Sequence, residues 1–376
     1  MRSETMTSKE RLECAVNLEK PDRVPISPLM NTSAAAKLVG KKYWEIADKG
    51  YYAHIETEIE LFEKFGGWDG VALPLSPDIY RLGGLKVTTP TEQSPEIQIL
   101  EEEFAKPEDY EIIAEKGMND FIVNHLIERV YGKEFLGQLG HIYQDASRSS
   151  KKGKDEYTKR GAYFTFPTLL THPFFKLSLT RSMVKFTEDL YYRPEMVENA
   201  IQTMTDELIA MGKMLYKKDN FLTMGLVEER AGGFFYPMRI FERFWWPFTK
   251  QIAEAFWADG IKIWFHLDTN WDKNIKYFKE LPRGSAIIDL DGTTNIFAAK
   301  EQLRDHLCIS SDIHPALMSL GKPEEMEAYC KRLIDEIGDD GGLILCTGCC
   351  LPVATKAENF RAMLNTGKTY QLSKPA

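Results

Sequence analysis

Residues 261–268 read Ile-Lys-Ile-Trp-Phe-His-Leu-Asp, and residues 342–350 read Gly-Leu-Ile-Leu-Cys-Thr-Gly-Cys-Cys. In both, an apolar run of strand length breaks off where metal-type ligands begin: His266 and Asp268 after the first, Cys346, Cys349 and Cys350 after the second. Two buried strands that end in imidazole, carboxylate and thiol, about eighty residues apart, point to a parallel barrel whose strand ends gather one open zinc-type site.

The rest of the chain fits that frame. Further apolar runs lie at 23–26, 70–73, 162–166, 221–227, 286–290 and 307–311, which with the two above makes eight, the barrel number. Long amphipathic stretches alternate with them, as β/α units require. One predicted helix, 194–217, opens with Pro194 and Glu195, and another, 323–337, carries Glu324, Glu325 and Glu327 in its first turn, where carboxylates complement the helix dipole. The fold class expected is therefore α/β, a (β/α)8 TIM barrel forming a single domain over 1–376. Between the second and third runs, about 75–160 is an insertion. It holds two alternating stretches, 84–89 and 97–100, set apart by Pro90 and Pro95, which read as a hairpin excursion followed by helices. A helix over 8–18 is expected to plug or flank the bottom of the barrel.

Composition excludes several classes of function. A net charge of -9 disfavours nucleic acid, which needs clustered Lys and Arg, and the densest basic run, Lys-Lys-Gly-Lys at 151–154, reads as a solvated loop. No segment approaches the roughly 18 apolar residues of a membrane span, and charges occupy the start where a signal peptide needs an apolar stretch. The expectation is a cytoplasmic protein with no membrane partner, its oligomeric state left open. Six cysteines in a reducing compartment should be thiols, so their clustering at 346–350 points to metal or chemistry rather than disulfides.

Beyond these patterns, the chain resembles the uroporphyrinogen decarboxylase superfamily nearly end to end. The resemblance is carried by Glu10-Arg11-Leu12 through Lys20-Pro21-Asp22-Arg23-Val24-Pro25, by Leu320-Gly321-Lys322-Pro323-Glu324-Glu325, and by the last strand region, 341–352. The decarboxylases carry an Arg-rich stretch after the first strand that neutralises a polycarboxylate porphyrinogen. Here that stretch is Ser27-Pro28-Leu29-Met30-Asn31-Thr32-Ser33, with no Arg. The resemblance therefore favours the other branch, the cobamide-dependent methyltransferases, whose zinc is held by a His-x-Cys pair and a distant Cys. On that register His266 and Cys349 are metal ligands, and Asp268 replaces the middle Cys as third ligand. The cofactors implied are zinc and a cobamide carried on a separate corrinoid protein, since no Asp-x-His-x-x-Gly cobalt-ligating pattern is present.

Exchanging a thiolate for a carboxylate makes zinc more Lewis acidic, which suits a small O- or N-methylated substrate better than a thiol. Other strand-end groups stand as candidates. Glu228 or Glu229 enters the mouth as fourth ligand or acid/base, Glu229 being the catalytic choice, or else pairs with Arg230 or Arg239. His314 positions substrate while Asp312 caps the next turn, and Asp289 and Asp291 also sit at a strand end. Cys346 reads as core, and Cys350 either replaces Cys349 or packs. The aromatics at 241, 244, 245 and 248 have core spacing, whereas 234–236 form an apolar wall or lid. The competing enzyme class is a metal-free decarboxylase or lyase in which Asp268 and Glu229 act directly.

Overall fold

The structure, a computed structural model, describes residues 4–370 apart from Pro167 and Asn220. Every named strand pair is parallel. β1 (Gly70–Val71) pairs with β2 (Tyr163–Phe164), and a six-stranded sheet runs in order through β3 (Leu169–Thr171), β4 (Met224–Glu228), β5 (Ile263–Leu267), β6 (Ala286–Leu290), β7 (Cys308–Ser310) and β8 (Leu343–Ile344). Backbone bonds close the two sheets into a ring. Leu345 N donates to Pro25 O at 2.8 Å and Ser27 N to Leu345 O at 2.9 Å; on the other side Gly70 N donates to Ile26 O at 2.9 Å. Thr223 N bonds Thr165 O at 2.9 Å, so β2 and β3 are two halves of one barrel strand against β4. The chain is thus a TIM barrel. The run at 23–26 appears as residues 25–27 in this closure. The second half of the third strand, β3, lies beyond the expected 162–166 because Pro167 interrupts the apolar run in the sequence.

Registered residues of parallel strands point to the same face, so the register sorts the barrel interior into layers. Trp264 pairs with Ile287 and Ile287 with Cys308. These residues, with Ile344, Phe166 and Leu222, form a buried interior cluster. Two residues further along the same strands the interior face becomes His266, Asp289 and Ser310. The alternate residues, Phe265, Leu267, Ile288, Leu290 and Ile309, join the larger core between barrel and helices.

The amino-terminal helix, Ser8–Val16, starts at a capping box in which Thr7 accepts from Glu10 N and Glu10 answers Thr7 N. Its Leu12, Ala15 and Val16 pack into the interior cluster, so it closes the barrel bottom. Arg11, fully buried, donates to Asp22 Oδ1 and to Asp69 Oδ1, each at 2.6 Å. Asp69 also accepts from Arg23 and from Ile26 N, tying the helix to the first two strands.

Helices Pro194–Asp219 and Pro323–Glu336 match the expected spans. In the insertion, Val87 and Ile99 form an antiparallel bridge where the hairpin was expected. The basic run at 151–154 is not a loop: it lies in the long helix Leu139–Lys159. The missing Cβ of Gly153 allows close packing on Ile55, whose Cγ2 would lie 2.7 Å from a Cβ at that position. No helix among the described residues is long and apolar enough to cross a membrane.

Candidate metal centre

β5 delivers His266 to the interior face, and Asp268 follows two residues later at the strand end. Cys349 comes from the turn after β8. Gly348 makes that approach possible, because a Cβ there would stand 2.7 Å from Asp291 O. The ligand atoms of His266, Asp268 and Cys349 all lie within 4.8 Å of one another. His266 Nε2 is 3.3 Å from Asp268 Oδ1, Cys349 Sγ is 3.8 Å from His266 Nε2, and Cys349 Sγ donates to Asp268 Oδ2 at 3.3 Å. Tetrahedral zinc with bonds of about 2.0–2.3 Å requires ligand atoms roughly 3.3–3.8 Å apart. The two Asp268 contacts run through different oxygens, so a small turn of that carboxylate would bring one oxygen to both partners, and the donor chemistry suits the ion.

Two further observations agree with a cation at this point. His266 Nδ1 is bonded to Asp289 Oδ2 at 2.6 Å, which orients the ring and turns Nε2 towards Asp268 and Cys349. Asp268 Oδ1 is buried and has no hydrogen-bond partner among the described residues. Without an ion, burial pulls the His266 pKa down, but the carboxylates of Asp268 and Asp289 outweigh it and hold the ring protonated well above its ordinary value. The neighbouring Cys350 thiol, then burial, pushes Cys349 up.

The remaining candidates separate by strand phase. Val227 pairs with His266, so Glu229 shares the interior phase and Glu228 faces outward. Burial, then the nearby Asp268 charge, raises the Glu229 carboxyl to about 7. Glu228 is buried away from the mouth, accepting from Arg230 N at 2.8 Å, Ala231 N at 3.1 Å and Trp245 Nε1 at 2.8 Å. It is a structural acid and not a fourth ligand. The alternative ion pairs do not form either: Arg230 pairs with Glu101, and Arg239 lies over the Tyr191 ring.

The capping role expected of Asp312 falls to His314. His314 is exposed and its Nδ1 caps the helix Pro315–Leu320 by accepting from Ala316 N at 3.1 Å, outside the cluster of three ligands. Asp312 is buried and accepts from Tyr329 Oη at 2.6 Å. Asp291 organises a turn, accepting from Thr269 N and Thr293 N. Cys346 is core. Cys350 lines the cavity beside His266. Phe241, Phe244, Trp245 and Phe248 are core, but Phe234 and Phe235 are exposed and do not line that cavity, so the wall expected of 234–236 is not built there.

Sequence reasoning missed two residues and one role. Asp289 had been noted only as a strand-end acid, although a carboxylate inside the buried run Ile-Ile-Asp-Leu is itself the signal of a partner. Tyr80, from the helix Pro77–Leu82, packs in a cluster with Leu85, Phe175 and Val227. Burial, then proximity to Cys350 and Glu229, raises its pKa and keeps the phenol neutral. Glu58 is a fully buried acid in the cavity wall, at a helical position in phase with Ile55 and Phe62.

The parallel barrel with a His/Asp/Cys cluster at its strand ends places the chain among TIM-barrel proteins that gather side chains of metal-ligand type at the barrel mouth. More narrowly, the chain belongs to the uroporphyrinogen decarboxylase family, whose model matches residues 173–370. No curated protein matches it. Among solved structures, a methyltransferase from Methanosarcina mazei shares the fold with a TM-score of 0.69 at 15% sequence identity, over 97% of this chain and 99% of that one.

Proposed function

We propose that the protein is a zinc-assisted methyltransferase that moves a methyl group between a small O- or N-methylated compound and the cobamide of a separate corrinoid protein. The observation that carries this reading is the His266, Asp268 and Cys349 cluster, spaced for one tetrahedral ion and braced by Asp289. The fold shared with a methyltransferase is consistent with it. Zinc held there supplies Lewis acidity towards the heteroatom that carries the methyl group. Asp289 fixes the His266 ring so that Nε2 faces the site. Glu229, poised at about 7 on the interior face, holds or releases a proton at the heteroatom as the C–heteroatom bond changes. Tyr80 and the apolar wall limit water at that point.

The test is metal content, measured on wild type beside His266→Ala and Cys349→Ala, together with methyl transfer to a purified corrinoid protein. One zinc per wild-type chain and loss in both variants are expected; full occupancy in both variants would refute the site. Transfer to or from thiols alone, with none on ethers or methylamines, would refute the substrate class. The second reading, a metal-free decarboxylase or lyase, draws on the raised pKa values of Glu229 and Asp268, which suit direct acid catalysis. It requires turnover that survives complete removal of metal.

A further inference from the structure

A cavity of about 750 Å³ has His266 and Cys350 in its wall. It runs past Phe166, Thr168 and Leu169, where the third barrel strand is divided between β2 and β3, to Phe164, Leu215 and Phe221. A further part of its wall is one side of the helix Leu139–Lys159, including Ser147, Arg148, Ser150, Lys151 and Lys154, with Lys218 from the neighbouring helix. A water molecule takes up roughly 30 Å³ of liquid, so a methylated compound of two or three heavy atoms would leave this volume largely empty.

The two regions of the wall differ in chemistry. Around the divided strand it is apolar, whereas the helical wall is cationic: Arg148, Lys151, Lys154 and Lys218 stand against the single exposed acid Asp155. Arg148, Lys151 and Lys218 form no ion pair among the described residues, and Lys154 lies 4.4 Å from the centre of the Phe221 ring. Glu58 adds an independent observation. It is fully buried in the same wall, its Oε1 accepts from Thr32 Oγ1 at 2.7 Å, and its Oε2 has no partner among the described residues. Burial raises this carboxyl to about 8, so near neutrality it contributes an O–H without an acceptor rather than a negative charge.

We propose that the cavity selects an elongated amphiphilic substrate, with the methyl-bearing heteroatom at His266, an apolar middle along the divided strand, and an anionic oxygen group, carboxylate, sulfonate or phosphate, held by Arg148 and Lys151. This rests on His266 marking the reacting end and not on the identity of the methyl acceptor. It also relocates the positive charge that the 27–33 stretch lacks, from the loop after the first strand to an outer helix.

The test is calorimetric binding of a series of ω-(4-methoxyphenyl)alkanoates, from acetate to octanoate, each beside its uncharged primary amide. At the best chain length the acid should bind at least about tenfold more tightly than the amide, and added salt should narrow the gap. Arg148→Ala combined with Lys151→Ala should abolish the preference; both residues are exposed, so the fold is spared. His266→Ala should retain it. Equal affinity of acid and amide at every length, or a preference that survives the double substitution, would overturn the proposal. If the preference is found but no methyl transfer occurs with any compound, the subsite stands and the methyltransferase reading falls.

Discussion

The two ends of the barrel bury charge in opposite ways. At the amino-terminal end Arg11, Asp22, Arg23 and Asp69 form a closed network in which both Asp69 oxygens are bonded, and the helix Ser8–Val16 seals it. At the carboxyl end His266, Asp268, Asp289 and Cys349 are almost as enclosed, yet Asp268 Oδ1, Asp289 Oδ1 and Ser310 Oγ have no hydrogen-bond partners among the described residues. Native interiors satisfy nearly all their buried polar atoms, and the oxygens left over at this end agree with the proposed cation. At the bottom every carboxylate oxygen of Asp69 is bonded; at the top the His266, Asp268 and Asp289 charges pair with one another but leave donor atoms over.

Four measurements would set the two ends apart. The largest effect is expected at the top: Cys349→Ala should reduce methyl transfer by roughly 10³-fold or more, about 4 kcal/mol, while thermal unfolding of the metal-free protein barely changes. His266→Ala should reduce transfer to the same extent but also lower stability, because it leaves Asp289 buried without its cation. A large fall in stability with activity intact would reverse the assignment of the two ends. Next, Arg11→Ala should cost about 3–5 kcal/mol in denaturant unfolding, because it leaves Asp69 and Asp22 buried without their cation, with zinc content per folded chain unchanged. Third, Asp289→Asn should weaken zinc binding by roughly 10–100-fold in a competitive chelator titration, since the amide no longer fixes the imidazole as a carboxylate does.

The smallest effect is a pH dependence at the bottom. Burial would raise the Asp22 carboxyl, but the Arg11 guanidinium and the N–H groups of Thr5 and Met6 outweigh it and hold it well below the ordinary carboxylate range. Its folded pKa lies under the unfolded value of about 4, so its stabilisation is complete above that pH and is lost as pH falls towards the folded value. Asp22→Asn should flatten the acid limb of a stability–pH curve, and an unchanged limb would show that Asp22 contributes nothing to it.

What the sequence made legible follows from the same physics. β5 and β6 were plain because a strand buried on both faces must be a nearly continuous apolar run. His266, Asp268 and Cys349 could be picked out because ligand types at the ends of such runs share one rim. The divided third strand was hidden because its second half, Leu169–Thr171, is only three residues long and follows a proline. The cavity wall was hidden because Glu58, Arg148 and Lys151 come from helices outside the barrel, and no local spacing reveals which side of a helix will line a pocket. The density of charge in the basic run suggested a solvated loop, whereas what sets its position is the close fit of Gly153 against Ile55.

The ring closes where the first and last strands meet, and Leu29 N bonds Thr347 Oγ1 across 318 residues of sequence. Contacts of such separation form late, because loop closure must precede any gain from them. Cys349 lies just beyond that seam, whereas His266 and Asp268 belong to strands already laid down during synthesis. The proposed ligand set therefore remains one donor short until the last strand docks, so an ion captured there would report a completed barrel.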